Sequence, residues 1–397
     1  MIIPASERLR SVEEYYFSAK LREIHDMVGK GLPVINLGVG SPDLPPSSST
    51  IHELALSAQK SDHHGYQAHK GVPALREAIA WYLLTTHRLS VDPATEILPL
   101  PGSKHGMIYL ALAFLNPGDR ALVSELSYPT YTSVTRLAGG EIAAYPLLPD
   151  QGWAPDWEVL ERMDLTGVKL LWANYPHMPT GAPATRPLLQ RLVDFGRHHG
   201  ILICHDNPYS MLTSSAEPMS ILSCDGAKDV AVELGSMSKS HNMAGWRIGW
   251  MAGQKEYVDT VLRVASNVES GMFLPLQEAA IRALRAGPEW YRQLQAEYDR
   301  RREIGTSVLT QLGCTVDAGQ AGMFVWGRIP EQASGAEQMS DTILRSLHLF
   351  LTPGSVFGPR GTRYLRLSLC SPTGSLRSAL ERVQSNKPLH LSSAGRT

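Results

Sequence analysis

The chain has 397 residues, 43% of them apolar, and its 37 basic and 38 acidic side chains leave a formal net charge of −1. A chain of this length can bury a large core and is long enough for two domains. The balanced charge provides no attraction for nucleic acid or membranes, and no apolar run approaches the length of a membrane span.

The cysteines and the N-terminus both indicate a cytoplasmic protein. The cysteines are scattered without the spacing of metal ligands, and we interpret them as reduced core thiols; they are Cys204, Cys224, Cys314 and Cys370. Residues 1–17 are mixed and charged, so they lack the apolar stretch of a secretory signal. The histidines at 198, 199 and 205 do not form a plausible zinc site, and we expect no metal.

A glycine-rich loop follows the first apolar strand that the sequence predicts. Residues 97–100 predict a strand, and residues 107–115 predict an apolar helix. Between them lies Gly102-Ser103-Lys104-His105-Gly106. The backbone N–H groups of such a turn, together with a helix N-terminus, suit an anion. We therefore expect Ser103 and Lys104 to lie beside a bound anion.

Short apolar strands then alternate with helical stretches. The strand candidates are residues 120–124, 168–173 and 201–204, and residues 188–199 predict a helix between the last two. This alternation is typical of a parallel sheet wrapped by helices. The strand at 168–173 is followed by a loop from Asn174 to Gly181, which proline and glycine residues punctuate.

An acidic residue stands directly after one of these strands. His205-Asp206-Asn207-Pro208-Tyr209 follows the four apolar residues 201–204, which fits a buried parallel strand with a carboxylate at its tip. A buried Asp is costly unless it meets a positive partner. A protonated pyridine nitrogen would be such a partner, and Asp-Asn-Pro would equally suit a simple turn.

A lysine follows the next strand. Residues 229–234 predict a strand, and Ser236-Met237-Ser238-Lys239 comes after it, with Arg247 eight residues beyond the lysine. In open α/β sheets, ligands bind beyond the carboxyl ends of the strands. The serines and Arg247 could surround a phosphate, and an amine beside a phosphate site is what pyridoxal phosphate requires.

Beyond residue 255 the pattern changes to longer helical stretches, such as 290–312, and to sparse strands at 323–327 and 364–369. We interpret this region as a smaller α+β domain. The predicted organisation is an N-terminal segment (1–46) that joins the small domain, a large cofactor-binding domain (47–285) and a small C-terminal domain (286–397).

Taken together, these motifs resemble the fold-type I pyridoxal-phosphate enzymes, in particular the class I/II aminotransferases. The resemblance runs from about residue 36 to residue 368, and the motifs occur in the order of that family. It implies an aspartate-aminotransferase-like α/β fold and a homodimer. It also implies pyridoxal 5'-phosphate as cofactor, with an amino acid and a 2-oxo acid as substrates.

The resemblance also implies roles for individual residues. Lys239 matches the Schiff-base lysine and general acid/base, Asp206 the partner of the pyridine nitrogen, and Tyr209 the donor to the phenolic oxygen. Ser236 and Arg247 match phosphate ligands. The remaining matches are Tyr128 stacking on the ring, Arg366 binding the substrate α-carboxylate, Gly40 in the turn near that carboxylate, and Tyr66 reaching the cofactor phosphate of the neighbouring subunit.

One position departs from the family. Met178 stands where the family usually has an Asn that donates to the phenolic oxygen, and a thioether cannot donate. Asn174 or His177 could take over this contact, or Tyr209 could act alone. The sequence leaves these three possibilities open.

Two other functions stay open at this stage. The first is a different reaction on the same scaffold, such as that of a lyase, decarboxylase, synthase or amino-acid oxidase. The second is a cofactor-binding regulator, although only about 40 residues precede the motifs and they contain no basic helix pair. We expect PLP-dependent transamination between an L-amino acid and a 2-oxo acid.

Overall fold

The computed structural model describes residues 3–6, 8–9, 16–213 and 217–386. Its α-helices are α1 (Tyr16–Gly29), α2 (Ser48–Ala58), α3 (Pro73–His87), α4 (Ser103–Phe114), α5 (Pro129–Leu137), α6 (Trp157–Arg162), α7 (Arg186–His199), α8 (Ala227–Val230), α9 (Met237–Ser240), α10 (Lys255–Val268), α11 (Leu274–Leu284), α12 (Pro288–Gln311), α13 (Ala336–Leu347) and α14 (Thr373–Ser385). Its strands are β1 (Ile35–Asn36), β2 (Ile97–Leu100), β3 (Arg120–Ser124), β4 (Glu141–Tyr145), β5 (Leu147–Leu148), β6 (Ala154–Pro155), β7 (Val168–Ala173), β8 (Leu202–Asp206), β9 (Ala231–Ser236), β10 (Gly249–Gly253), β11 (Thr315–Val316), β12 (Phe324–Arg328), β13 (Leu349–Phe350), β14 (Thr352–Pro353) and β15 (Tyr364–Ser368).

The central element is a seven-stranded sheet in the order β2-β10-β9-β8-β7-β3-β4. β10 runs antiparallel to both of its neighbours, and the other adjacent pairs are parallel. The predicted mostly parallel α/β sheet is therefore confirmed. Because the parallel strands end at one edge, the residues that follow β7, β8 and β9 meet there.

Apolar side chains cover both faces of this sheet. Alternate residues of a strand point to opposite faces. Accordingly, Leu171 and Ile203 join one core cluster, whereas Leu170, Leu202 and Cys204 join the other. This two-sided burial explains why the parallel strands are nearly continuous hydrophobic runs.

Two of the predicted strands were placed wrongly at their ends. Ile201 is not in a strand, because its N–H donates to Gly196 and closes the last turn of α7; β8 begins at Leu202 and extends through Asp206. Residues 227–230, in part predicted as strand, form the short helix α8 after Gly226, which adopts a left-handed conformation. β9 then carries the chain to Ser236.

A second sheet, in the order β11-β12-β15-β14, lies in the C-terminal part of the chain. The N-terminal segment joins this part, because β1 pairs in parallel with β13. The Lys20 ammonium of α1 also pairs with Asp341 of α13, at 3.1 Å. The domain boundaries at residues 46 and 285 stay a prediction.

A buried arginine fixes the segment after β1 to the long helix α12. The Arg301 guanidinium is 2% exposed and binds both carboxylate oxygens of Asp43, at 2.6 and 3.1 Å. It also donates to Glu297 at 2.7 Å and to the carbonyl of Leu369 at 2.9 Å. Because a buried guanidinium requires such partners, this network sets the path of the segment that includes Gly40.

In the part of the chain that the structure describes, no helix is long and apolar enough to cross a bilayer.

Candidate active site

A cavity of about 620 Å³ lies at the carboxyl edge of the large sheet, beside the segment 39–41 and helix α1. All but one of the predicted site residues line it: Gly40, Ser103, Lys104, Tyr128, Asn174, Asp206, Tyr209, Ser236, Lys239, Arg247 and Arg366. The exception is Tyr66, whose surface is 93% exposed. The structure therefore brings into one cavity residues that are as many as 326 positions apart in the sequence.

Asp206, the last residue of β8, presents a carboxylate to the cavity. Its Oδ2 accepts a hydrogen bond from the Tyr131 hydroxyl at 2.8 Å. Its Oδ1 is buried and has no hydrogen-bond partner among the described residues. Burial raises the pKa of Asp206 to about 6, and the hydrogen bond from Tyr131 and the charges of His205 and Lys239 limit this rise. A buried oxygen without a partner is costly, so this atom suits a donor on a ligand.

Lys239 lies in the one-turn helix α9, directly after the end of β9. Its ammonium donates to the carbonyl of Gly40 at 2.7 Å. Burial lowers the pKa of the Lys239 amine, and the charges of Arg366 and Arg247 add to this effect. A lysine with a lowered pKa more readily supplies the neutral amine that attacks a carbonyl carbon.

The other end of the cavity forms a cradle for an anion. The helix α4 begins at Ser103, and its N-terminal N–H groups favour negative charge. Gly102, with φ of +88°, precedes the helix, and a Cβ at this position would collide with Nη2 of Arg247. Only glycine therefore lets the guanidinium of Arg247 lie against the loop at the start of α4.

Ser236 and Ser238 belong to the same cradle. Ser236 caps α9, because its Oγ accepts from the Ser238 N–H at 3.2 Å. Both side chains are buried and line the cavity, together with Lys104. Hydroxyls, ammonium and guanidinium groups around a helix N-terminus are the donors that bind a phosphate.

Arg366 projects from the second sheet, in β15, into the cavity. Its Nη2 donates to the carbonyl of Gly38 at 2.7 Å. Three rings surround the guanidinium, with centroids 3.9 Å (Phe324), 4.5 Å (Phe357) and 5.6 Å (Phe17) from its central carbon. A Cβ on Gly40 would overlap the ring of Phe324, so a glycine lets this segment lie against the arginine cage.

The contacts around Met178 concern the position where the family usually has an asparagine. The Asn174 amide donates to the carbonyl of Asp206 at 2.7 Å, and its oxygen accepts from the Met178 N–H at 2.8 Å. The His177 ring contacts the Thr180 hydroxyl at 2.8 Å and does not line the cavity. The Met178 sulfur lies 3.3 Å from Nη1 of Arg366. Asn174 thus fixes the loop to the end of β8.

Several cavity residues were missed by sequence reasoning, among them Phe17, Tyr131, Phe324 and Phe357. Tyr131 lies three positions after Tyr128, on the first turn of α5, and such spacing could have placed both on one helix face. The three phenylalanines lie on separate elements that carry no motif. Their sequence positions gave no signal that they would meet.

The cavity has the complementarity that pyridoxal phosphate requires. The unpartnered Oδ1 of Asp206 can accept a hydrogen bond from the ring nitrogen. The buried amine of Lys239 can bind the aldehyde carbon, and the anion cradle can bind the phosphate. Among the described residues, no group of three or more His, Cys, Asp or Glu side chains is placed to hold a metal ion. Fold and site together define a pyridoxal-phosphate-dependent enzyme of fold type I.

Comparison with known proteins gives the family. The model for "Aminotransferase class I and II" matches residues 33–383, and the chain belongs to this family, whose members use pyridoxal 5'-phosphate. The chain is 36% identical to the LL-diaminopimelate aminotransferase of Dehalococcoides mccartyi over 383 residues, which cover 96% of this chain and 98% of that protein. It is 35% identical to the enzyme of the same name from Aquifex aeolicus, over 96% of this chain and 99% of that one.

Solved structures show the same fold. The substrate-bound BacF structure from Bacillus subtilis has a TM-score of 0.91 and 34% identity, covering 97% of this chain and 98% of that one. A Thermus thermophilus aspartate aminotransferase mutant has a TM-score of 0.88 and 25% identity, covering 96% of this chain and 99% of that one. The predicted aspartate-aminotransferase-like fold and PLP-dependent transamination are confirmed.

The anion cradle leads to a prediction about Gly102. The Gly102→Ala variant should bind pyridoxal phosphate about tenfold or more weakly, because the added methyl displaces Arg247 and strains a left-handed backbone, at a cost of about 1–3 kcal/mol. The measurement is the dissociation constant of the cofactor. Gly245→Ala is the matched control, since a Cβ there meets open space and its affinity should be unchanged. Equal affinities for both variants and the unaltered protein would contradict the cradle.

Proposed function

We propose that this aminotransferase acts through Lys239, Asp206 and Arg366. The observation that carries the proposal is their convergence from three separate elements on one cavity. Lys239 carries the cofactor and moves a proton to and from the substrate carbon. Arg366 holds the substrate α-carboxylate with its planar pair of donors. When bound, pyridoxal phosphate supplies an electron sink that stabilises negative charge at that carbon.

The remaining residues position these groups. Asp206 contributes a carboxylate that keeps the ring nitrogen protonated, and Tyr131 orients it. Tyr128 would stack on the ring and Tyr209 would donate to the phenolic oxygen; the Asn174 amide already donates one N–H to the Asp206 carbonyl, and His177 contacts Thr180. Ser103, Lys104, Ser236 and Arg247 would hold the phosphate. The Gly40 carbonyl accepts a hydrogen bond from Lys239, which places this turn beside the lysine.

We further propose that the amino donor has an apolar side chain. Phe17, Phe324 and Phe357 surround Arg366, and Leu21 also lines the cavity, in which Asp206 is the one carboxylate among the described residues. A charged side chain placed against these walls would lose hydration without gaining a partner. LL-diaminopimelate is the second candidate, because relatives 33–36% identical to this chain are named for it.

A panel of donors decides between these candidates. Phenylalanine and leucine should exceed aspartate and LL-diaminopimelate in kcat/KM by roughly ten- to hundredfold, since burying such a side chain contributes about 1.5–3 kcal/mol. The measurement is the loss of cofactor absorbance on adding the amino acid and its return on adding a 2-oxo acid.

The Phe17→Ala variant should lose this preference for apolar donors. Ile24→Ala in the same helix is the control, because Ile24 is buried and does not line the cavity. A preference for LL-diaminopimelate would select the second candidate. A failure of every donor would instead contradict the assignment of the site residues.

We infer that the active enzyme is a homodimer and that it is cytoplasmic. The loop of Tyr66 lies beside residue 271, since Gln67 and Gly271 form a β-bridge. Tyr66, Val268 and Phe273 expose apolar surface in this region, at 93%, 61% and 39%. Such surface supports contact with a second copy of the chain. The four buried free thiols support a reducing compartment.

Mixed dimers test the role of Tyr66. If Tyr66 serves the neighbouring site, mixing Lys239→Ala chains with Tyr66→Ala chains should restore activity to about a quarter of the wild-type level, because half of the dimers are hybrids and one site in each is intact. Activity is measured after the chains have been unfolded and refolded together. Two affinity tags show whether hybrid dimers form. If they form and are as inactive as the parent dimers, Tyr66 does not serve the neighbouring site.

A further inference from the structure

We propose that His205 and Glu233 form an ionised pair beneath the active site and that it positions Asp206 and keeps it a carboxylate. His205 is the residue before Asp206 in β8, and its backbone pairs with Glu233 of β9. Both side chains are fully buried, and Nδ1 of His205 lies 3.1 Å from Oε2 of Glu233. The proposal rests on Asp206 acting as proposed above.

The Glu233 carboxylate is the centre of this network. Its Oε2 accepts from His205, from the Asn207 amide at 3.2 Å and from the backbone N–H of Ile221 at 3.0 Å. Burial tends to raise the pKa of Glu233, but the hydrogen bond and charge of His205 outweigh it and hold this pKa below its usual value. A buried carboxylate that stays ionised requires a positive partner.

His205 is suited to be that partner. Its Nδ1 faces a carboxylate oxygen, and its Nε2 lies 3.0 Å from the carbonyl oxygen of Tyr175 and 3.3 Å from the Tyr175 N–H. Nδ1 faces Oε2 of Glu233, and Nε2 lies nearer to the carbonyl oxygen of Tyr175 than to its N–H, so a ring with both protons would donate at both nitrogens. The other histidine near Glu233 is His87, and burial lowers its pKa, so it stays neutral.

The pair spans the strands that carry the site. Glu233 lies in β9, which leads to Lys239, and Tyr175 follows β7 next to Asn174. His205 in β8 contacts both neighbours, so the network fixes the relative positions of the three strand ends. Alternation along β8 places His205 on the opposite face of the sheet from Asp206. It therefore acts through charge and backbone position, not through contact with substrate.

Other titratable groups face the two carboxylates. Those around Asp206 are Tyr131, Tyr209 and Lys239, and those around Glu233 are Tyr82, His87 and Cys224. The tyrosines and the cysteine stay neutral, since burial raises the pKa of each. His205 and Lys239 are the groups whose positive charge lowers the pKa of Asp206.

The test is the pH dependence of cofactor retention by the holoenzyme. Asp206 must be ionised to hold the protonated ring, and that ring would lower the pKa of Asp206. Retention is therefore complete above the pKa of the cofactor-free protein and is lost as the pH falls through the lower pKa of the holoenzyme. The His205→Gln variant removes the nearby positive charge and should move the midpoint of cofactor release up by about one pH unit. Glu233→Gln should shift it in the same direction, because His205 then loses the carboxylate that holds its second proton.

The double variant separates charge from packing. His205→Gln with Glu233→Gln replaces the ion pair by two neutral amides that can bond each other, so its thermal midpoint should recover relative to His205→Gln alone. The midpoint of cofactor release should nevertheless stay raised. The Tyr145→Phe variant, which loses a buried hydrogen bond to the Trp172 carbonyl, is a control for stability and should leave that midpoint unmoved.

Two results would overturn the proposal. One is an unaltered midpoint of cofactor release in His205→Gln and in Glu233→Gln. The other is a midpoint that returns to the wild-type value in the double variant, since that would show a purely structural role.

Discussion

A carboxylate buried at the tip of a central strand is the constraint on which the active site depends. Asp206 is 4% exposed, and leaving such a group without partners would cost several kcal/mol. The Tyr131 hydroxyl donates to one carboxylate oxygen of Asp206, and the Asn174 amide donates to its backbone carbonyl. The other carboxylate oxygen faces the cavity. A protonated pyridine ring is a stronger partner there than any neutral donor. We therefore propose that part of the affinity for the cofactor derives from the cost of burying Asp206.

The segment after β1 links this site to the second sheet. Its carbonyls are occupied by side chains from distant elements: Arg366 and Thr352 donate to Gly38, Ser368 to Val39 and Lys239 to Gly40. Arg301 binds Asp43 at the far end of the segment. One stretch of backbone thus contacts both the lysine and the arginine that we assign to the substrate. The distance between these two groups is set by hydrogen bonds rather than by a single rigid element.

Much of the large sheet could be predicted from the sequence, because buried parallel strands are short continuous apolar runs. Lys239 and Asp206 could be found for the same reason, since each follows such a run and parallel strands end at one edge. The ends of the strands were less predictable. Ile201 and Val230 are β-branched residues near the starts of predicted strands, but the closing turn of α7 and the left-handed Gly226 decide their conformation.

Residues that depend on long-range contact could not be predicted from local pattern. Arg366 and Tyr66 were found only through the resemblance to a family. Phe17 lies in a helix that packs over the cavity from the opposite end of the chain, and its contact with Arg366 has no local signal. The role of Asn174 could not be predicted either, because its partner, the carbonyl of Asp206, is 32 residues away in the sequence.

The most direct test of the central claim is to identify the lysine that holds the cofactor. Borohydride reduction of the holoenzyme followed by peptide mapping should place the pyridoxyl label on Lys239. Lys104 is the informative comparison, because it also lines the cavity. A label on Lys239 alone is the result that this account predicts, and a label on Lys104 with Lys239 unmodified would contradict it.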